Sequence, residues 1–147
     1  RVIKATANEL PALLSINALL NDSTVNHAPS IKNSVYSGEC YAAVTDGTIT
    51  GFGILEHSFF NQCFISLLAV HPDYRRRGIA NAIIRHIESQ CRNPKLFTST
   101  NRSNTAAQGL FEAAGFSRSG MIANLDEGDP EIIYYKQPGR RNGGSRQ

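Results

Sequence analysis

Arg75-Arg76-Arg77-Gly78-Ile79-Ala80 sets three cations and a glycine directly after an apolar run, Ser66-Leu67-Leu68-Ala69-Val70, and directly before a helical pattern. Residues of these types in this order make an anion cradle. The first-turn amides of a helix lack intrahelical partners, and the positive end of its dipole favours a phosphate. Gly78 lets the backbone come close to a ligand, and Ala80 keeps the next turn small. Pro72 cannot donate to a ladder, so strand pairing is expected to stop near His71. The pattern is neither the G-x-G-x-x-G of dinucleotide sites nor the Gly-Lys-Ser/Thr ending of a P-loop.

Other groups with chemistry are spread out. Glu56 and His57 fall in one strand pattern, where Glu56 is either a base working through water or a solvated carboxylate. Cys63 is either an acyl-carrying nucleophile or a small buried hydrophobe. Asp126, Glu127, Asp129 and Glu131 surround Gly128 and Pro130. This acidic turn either holds a cationic amine or is solvated turn chemistry.

Composition narrows the class. The chain has 147 residues, 41% of them hydrophobic, which suits one domain with a core of its own. No apolar run reaches the length of a membrane span, and no signal-peptide pattern opens the chain. The net charge of +3 equals the contribution of Arg140, Arg141 and Arg146, so the remainder is neutral. A neutral body lacks the basic face of a nucleic-acid binder. Cys40, Cys63 and Cys91 are odd in number and lack C-x-x-C spacing. That argues against a disulfide framework and a zinc site, and it suits a reducing, cytoplasmic setting.

The elements that must position these groups follow from periodicity. Val2 to Thr6 reads as an edge strand, and Leu13, Leu14, Ile16, Leu19 and Leu20 as a helical stripe. Asp22 to Ser30 reads as a loop and Ile31 to Ser37 as a second helix. Glu39 to Val44 alternates as a strand, and Asp46-Gly47 is a hairpin turn. Thr48 to Phe60 is its partner, with Gly51 and Gly53 at bulge or close-packing positions. Asn61-Gln62 is expected to turn the chain into Cys63–Val70, apolar nearly throughout as a strand covered on both faces should be. Ile79, Ile83 and Ile87 mark a third helix, ended at Asn93-Pro94. Leu96 to Thr100 is a short strand. Ser103 or Asn104 caps a fourth helix that Gly115 stops. Ser117–Asn124 and Ile132–Lys136 are the last strands. Residues 1–138 form the folded domain, and residues 139–147 read as a disordered basic tail.

Arg75-x-x-Gly78-x-Ala80 after Leu68-Ala69-Val70-x-Pro72 resembles the acetyl-CoA motif of the GNAT superfamily of N-acetyltransferases. Asn104-x-x-Ala107-x-x-Leu110-Phe111-x-x-x-Gly115-Phe116 resembles the second GNAT signature, at the right spacing from the first. The resemblance implies a single α/β (α+β) domain. Its sheet would be mixed and mostly antiparallel, of six or seven strands, with a splayed central parallel pair and about four flanking helices.

The resemblance also implies acetyl-CoA as co-substrate, no metal, and transfer of the acetyl group to a primary amine of a small molecule or peptide. It implies diphosphate on the amides of Arg76, Arg77, Gly78, Ile79 and Ala80; Arg75 and Arg77 either add charge there or are solvated surface arginines. Pantetheine would pair along Leu68, Ala69 and Val70, the Val70 amide would stabilise the oxyanion, and Asn104, Ala107 and Phe111 would complete the cofactor site. The acceptor would meet Asp126, Glu127 and Asp129.

Two positions depart from the family pattern. Phe111 stands where the usual acid is a tyrosine, and Phe64 stands near the usual glutamate base. Tyr134, Tyr135, water, or departure of a free thiolate would replace the acid. Glu56 or His57 would replace the base. A non-catalytic acyl-CoA sensor on the same fold is the alternative. Edge strands near both termini make a homodimer a further expectation.

Overall fold

The computed structural model describes residues 1–20 and 26–138; the tail expected from residue 139, and part of the loop expected at 22–30, lie outside them. Seven strands make one mixed sheet in the order β1-β2-β3-β4-β5-β7-β6, with four α-helices among the described residues. These are β1 (Val2–Lys4), α1 (Leu10–Leu20), α2 (Ala28–Ser37), β2 (Cys40–Thr45), β3 (Thr48–Phe59), β4 (Gln62–Val70), α3 (Ile79–Gln90), β5 (Leu96–Asn101), α4 (Thr105–Ala113), β6 (Ser117–Ile122) and β7 (Glu131–Lys136). Among the described residues no helix is long and apolar enough to cross a membrane. The chain divides into two compact units, residues 1–56 with 66–87 and residues 57–65 with the part from 88 onward.

In the first unit, β2 and β3 are a hairpin closed by Asp46 and Gly47, both left-handed (φ 50 and 78). Pleating sorts their side chains onto two faces. Cys40 and Ala42 pair with Ile54 and Phe52, and these four join Leu13 and Ile16 of α1, Ile31 and Val35 of α2, and Ala69 in one buried cluster. On the alternate positions Tyr41 and Ala43 pair with Gly53 and Gly51. Here α3 lies almost on the backbone. A Cβ at Gly51 would sit 2.8 Å from the Ala69 carbonyl oxygen and 3.2 Å from Ile79 Cγ2; one at Gly53 would sit 2.8 Å from Ile83 Cγ2. The two glycines are close-packing positions, and the ladder's register shift falls beside them, between Ala43 and Val44. Ile79, Ile83, Ile84 and Ile87 are all buried, at about 1.5–3 kcal/mol each.

In the second unit, β5 pairs antiparallel with β7 over six positions, and β7 pairs with β6. The parallel pairing of β4 with β5 is short. It runs from Cys63↔Leu96 to Ile65↔Thr98 and stops, although β5 continues to Asn101 and β4 to Val70. Asn104 caps α4, its side chain accepting from Ala107 N at 3.0 Å. Gly115 ends it with φ 97, and Phe116 returns against Phe111 at 5.8 Å between ring centroids. Lys136 donates to the Ala114 carbonyl at 2.7 Å and to Glu88 at 2.9 Å, so one cation serves a helix C-terminus and an ion pair.

Three expectations are corrected. The second helix begins at Ala28, not Ile31, because Pro29 sits in its first turn, where a missing N–H costs nothing. The turn after β3 is made by Phe60 and Asn61 (φ 51 and 63), one residue earlier than Asn61-Gln62. Cys63 and Cys91 are joined as a disulfide, their Cα atoms 6.3 Å apart, against the expectation of unpaired cysteines. An odd count leaves room for one bridge, and the turn after α3 brings Cys91 back to β4, which spacing alone does not show. Cys40 stays free and fully buried, and burial pushes its thiol up to about 11, with a hydrogen bond to Ser34 opposing.

Two outcomes follow. Gly51→Ala should destabilise the protein by about 1–3 kcal/mol in urea melts, because the clashing atom is a backbone oxygen with no rotamer to escape into. A thiol reagent at pH 8 should find nothing in the native oxidised protein and one thiol, Cys40, after unfolding without reductant.

Candidate functional site

The first unit brings together the residues expected to hold an anion. β4 ends at Val70, and His71 N donates to the Thr50 carbonyl of β3 at 2.8 Å. Pro72–Tyr74 then form one 3₁₀ turn, capped by His71, whose Nδ1 accepts from Asp73 N at 3.0 Å. His71 is therefore a cap. Arg75 is extended, Arg76 is left-handed with φ 65, and Gly78 is left-handed with φ 76. A left-handed non-glycine residue costs about 1–2 kcal/mol. Left-handed residues next to right-handed ones are what an anion-binding nest is built from, and Arg76 and Gly78 supply two left-handed positions.

The first bond of α3 runs from Ala82 N to Gly78 O at 3.0 Å. The amides of Ile79, Ala80 and Asn81 precede it and have no helical acceptor. A Cβ at Gly78 would meet nothing within 4 Å, so the glycine faces open space. Arg75, Arg76, Arg77 and Gly78 are exposed, and the Arg77 guanidinium lies 5.0 Å from the centroid of the Tyr74 ring. Leu68 and Val70 are half-buried at the end of β4, and Ala69 is buried. Donors, charge and open space thus fit a diphosphate. Glu56, half-buried, is the last β3 residue of this unit.

The other expected residues lie in the second unit. Asn104 is engaged as the cap of α4, and Ala107 supplies the amide it binds. Phe111 is buried between Phe116 and Tyr134, 5.8 and 5.5 Å away. Tyr134 is completely buried, and its hydroxyl donates to Glu112 at 3.4 Å. The acidic turn is tied to β5 rather than loose. Asn101 donates to Asp126 at 2.9 Å, and Ser103 donates to Asp129 through its amide at 2.9 Å and its hydroxyl at 2.6 Å. The Ser103 hydroxyl and then its amide hold the Asp129 carboxyl below the usual aspartate range. Glu127 is exposed. Among the described residues no group of three or more His, Cys, Asp or Glu is placed to hold a metal.

A contact that spacing did not reveal joins Ser99 and Glu131, the hydroxyl donating to Oε2 at 2.7 Å. The signal was a polar residue inside the β5 pattern, legible only once β5 and β7 are known to pair.

Residues 14–116 match the model of the acetyltransferase (GNAT) family. The chain belongs to the GNAT family. A GNAT-family acetyltransferase from Bacillus cereus superposes with a TM-score of 0.85 and 40% identity, covering 93% of this chain and 96% of that one. The ribosomal-protein-S18-alanine N-acetyltransferase of Escherichia coli shares the fold, with a TM-score of 0.80, 21% identity and coverage of 94% and 93%. Cysteine-rich protein 2-binding protein of Mus musculus is 35% identical over 78 residues, which is 52% of this chain but only 10% of that protein. This GNAT chain thus corresponds to a small part of that relative. The seven strands, four α-helices and short central parallel pairing of its described residues are the expected architecture.

The bonds to Ser103 predict a pH effect. A depressed carboxyl stabilises the folded turn above the ordinary aspartate pKa, and the effect fades as pH falls through the depressed value. NMR titration should show Asp129 ionising below a free aspartate, and Ser103→Ala should return it toward the ordinary value.

Proposed function

We propose that the protein is an acetyl-CoA-dependent N-acetyltransferase. It transfers the acetyl group to a primary amine of a small molecule or peptide by direct attack in a ternary complex. The observation that carries this is the run Arg75–Ala80, with two left-handed residues, three helix-start amides and a glycine facing open space. A structure from Bacillus anthracis that covers 67% of this chain, with a TM-score of 0.63 and 24% identity, was solved with acetyl coenzyme A bound.

In this reading the amides from Arg76 to Ala80 take the diphosphate, and Arg75 and Arg77 add charge without geometric demands. The end of β4, Leu68 to Val70, offers its backbone to the pantetheine amides. The Val70 amide polarises the thioester carbonyl and stabilises the oxyanion. Holding the two reactants in line removes much of the entropic barrier. Asn104, Ala107 and Phe111 shape α4, and through it the surface this signature supplies in the family. Glu56 acting through water, and Tyr134 once its hydroxyl is released from Glu112, are the base and acid that the sequence itself offers. Asp126, Glu127 and Asp129 give the acceptor's entrance its negative charge.

Phe111 favours a second reading, an acyl-CoA sensor without turnover. Phenylalanine cannot give a proton to a departing thiolate, and this one is buried between two rings.

Calorimetry with acetyl-CoA should show one site per chain. Gly78→Val should weaken it tenfold or more, by adding a side chain at a left-handed position that faces the ligand. Binding that survives Gly78→Val unchanged would refute the cradle. Binding without turnover over a broad amine panel would leave the sensor.

A further inference from the structure

β5 and β7 sort their side chains onto two faces in the second unit. Leu96, Thr98, Ile132 and Tyr134 are buried, and α4 covers that face through Phe111 and Glu112. The alternate residues Phe97, Ser99, Ile133, Tyr135 and Glu131 are only half-buried. They form one row, because Phe97 pairs with Tyr135, Ser99 with Ile133 and Asn101 with Glu131.

Aromatic rings continue the row. Phe97 lies 5.9 Å from Tyr135 and 5.2 Å from Phe59, and Phe59 stacks on Phe64 at 4.6 Å between centroids. At the other end stands a carboxylate. Glu131 accepts from Ser99 Oγ at 2.7 Å through Oε2, which leaves it capacity for further donors. Ser99 is also the first β5 residue beyond the last parallel pair, Ile65↔Thr98, where β5 is released from β4.

We infer that this face is the acceptor site: Glu131, oriented by Ser99, takes the base's role in place of Glu56, and binds and deprotonates a primary ammonium whose apolar or aromatic substituent lies on Phe97 and Tyr135. The inference rests on the acetyltransferase reading and deepens it by naming the acceptor class. Charge selects the ammonium. The rings select what is attached to it, because apolar surface laid on them leaves water. Glu131 and Tyr135 are four residues apart on one strand, about 13 Å, which suits a substituent several bonds from the nitrogen.

The chemistry balances. The Glu131 carboxylate takes one proton from the ammonium, and the freed lone pair forms the N–C bond at the thioester carbon. The C–S bond breaks, the second nitrogen proton passes to the departing thiolate, and Glu131 returns its proton to bulk water. The products are the amide, free CoA thiol and one proton.

The test compares 4-phenylbutylamine with butylamine, alongside acetyl-CoA calorimetry. The intact chain should acetylate 4-phenylbutylamine with a kcat/KM at least tenfold above that for butylamine. Glu131→Gln should lower kcat about a hundredfold or more while acetyl-CoA affinity stays unchanged, which also shows that the variant folds. Ser99→Ala should lower kcat, and Ser99→Thr, which keeps the hydroxyl, should recover most of it. Phe97→Leu, chosen to keep the strand folded, should bring the ratio between the two amines toward one. A Glu131→Gln protein that turns over within threefold of the parent overturns the base assignment. Equal use of the two amines overturns the acceptor class. Acetyl-CoA that binds but is passed to neither amine overturns the site alone, whereas absence of acetyl-CoA binding removes the acetyltransferase reading itself.

Discussion

The approach of α3 to the backbone of β3 is the constraint on which the first unit depends. Two positions without side chains, Gly51 and Gly53, let Ile79, Ile83 and Ile87 come within van der Waals reach of the strand. The start of α3 is thereby held next to Ala69, one residue from the end of β4. The chain between has only eight residues, 71–78, to reverse direction. It does so with one 3₁₀ turn and two left-handed residues, Arg76 and Gly78. The loop proposed as an anion cradle is thus a by-product of close packing elsewhere. Its position depends on Gly51 and Gly53, which lie outside that loop.

The second unit uses a different device. Several of its polar side chains are anchored to one another and to backbone. Lys136 closes the end of α4, Asn104 opens it, and Asn101 and Ser103 hold the β6–β7 turn. Each bond is modest, about 1 kcal/mol net. Together they give a short helix and a loop rich in like charges a single arrangement. On the other face of β5 and β7, rings and a carboxylate share a row.

Most of the architecture is legible in the sequence, for a physical reason. Strand alternation, the isoleucine stripe of α3, the Asp46-Gly47 hairpin and the Gly115 stop are local signals, written in consecutive residues. The two GNAT signatures are local as well, and each sits on one strand-to-helix or helix-to-strand step. What failed or stayed hidden depends on distant residues meeting. The Cys63–Cys91 bridge, the Lys136–Glu88 pair and the Ser99–Glu131 contact each join parts of the chain about thirty or more positions apart. The Asp126 and Asp129 carboxylates looked equally suited to a ligand or to solvent. Their actual partners, Asn101 and Ser103, become visible only when β5 and β7 are aligned. Asn104 shows the opposite limit: its signature is plain in the sequence, yet the geometry explains it as a helix cap.

The bridge between Cys63 and Cys91 makes a covalent ring of the intervening chain, and that ring contains the end of β4, the arginine loop and all of α3. A protease that cuts once in the exposed arginine stretch therefore does not release a fragment. The oxidised protein would migrate as one species on a gel without reductant and as two once the bridge is opened. Such a nick could pass unseen, with the cut ends still tethered through the strand and the turn that flank them.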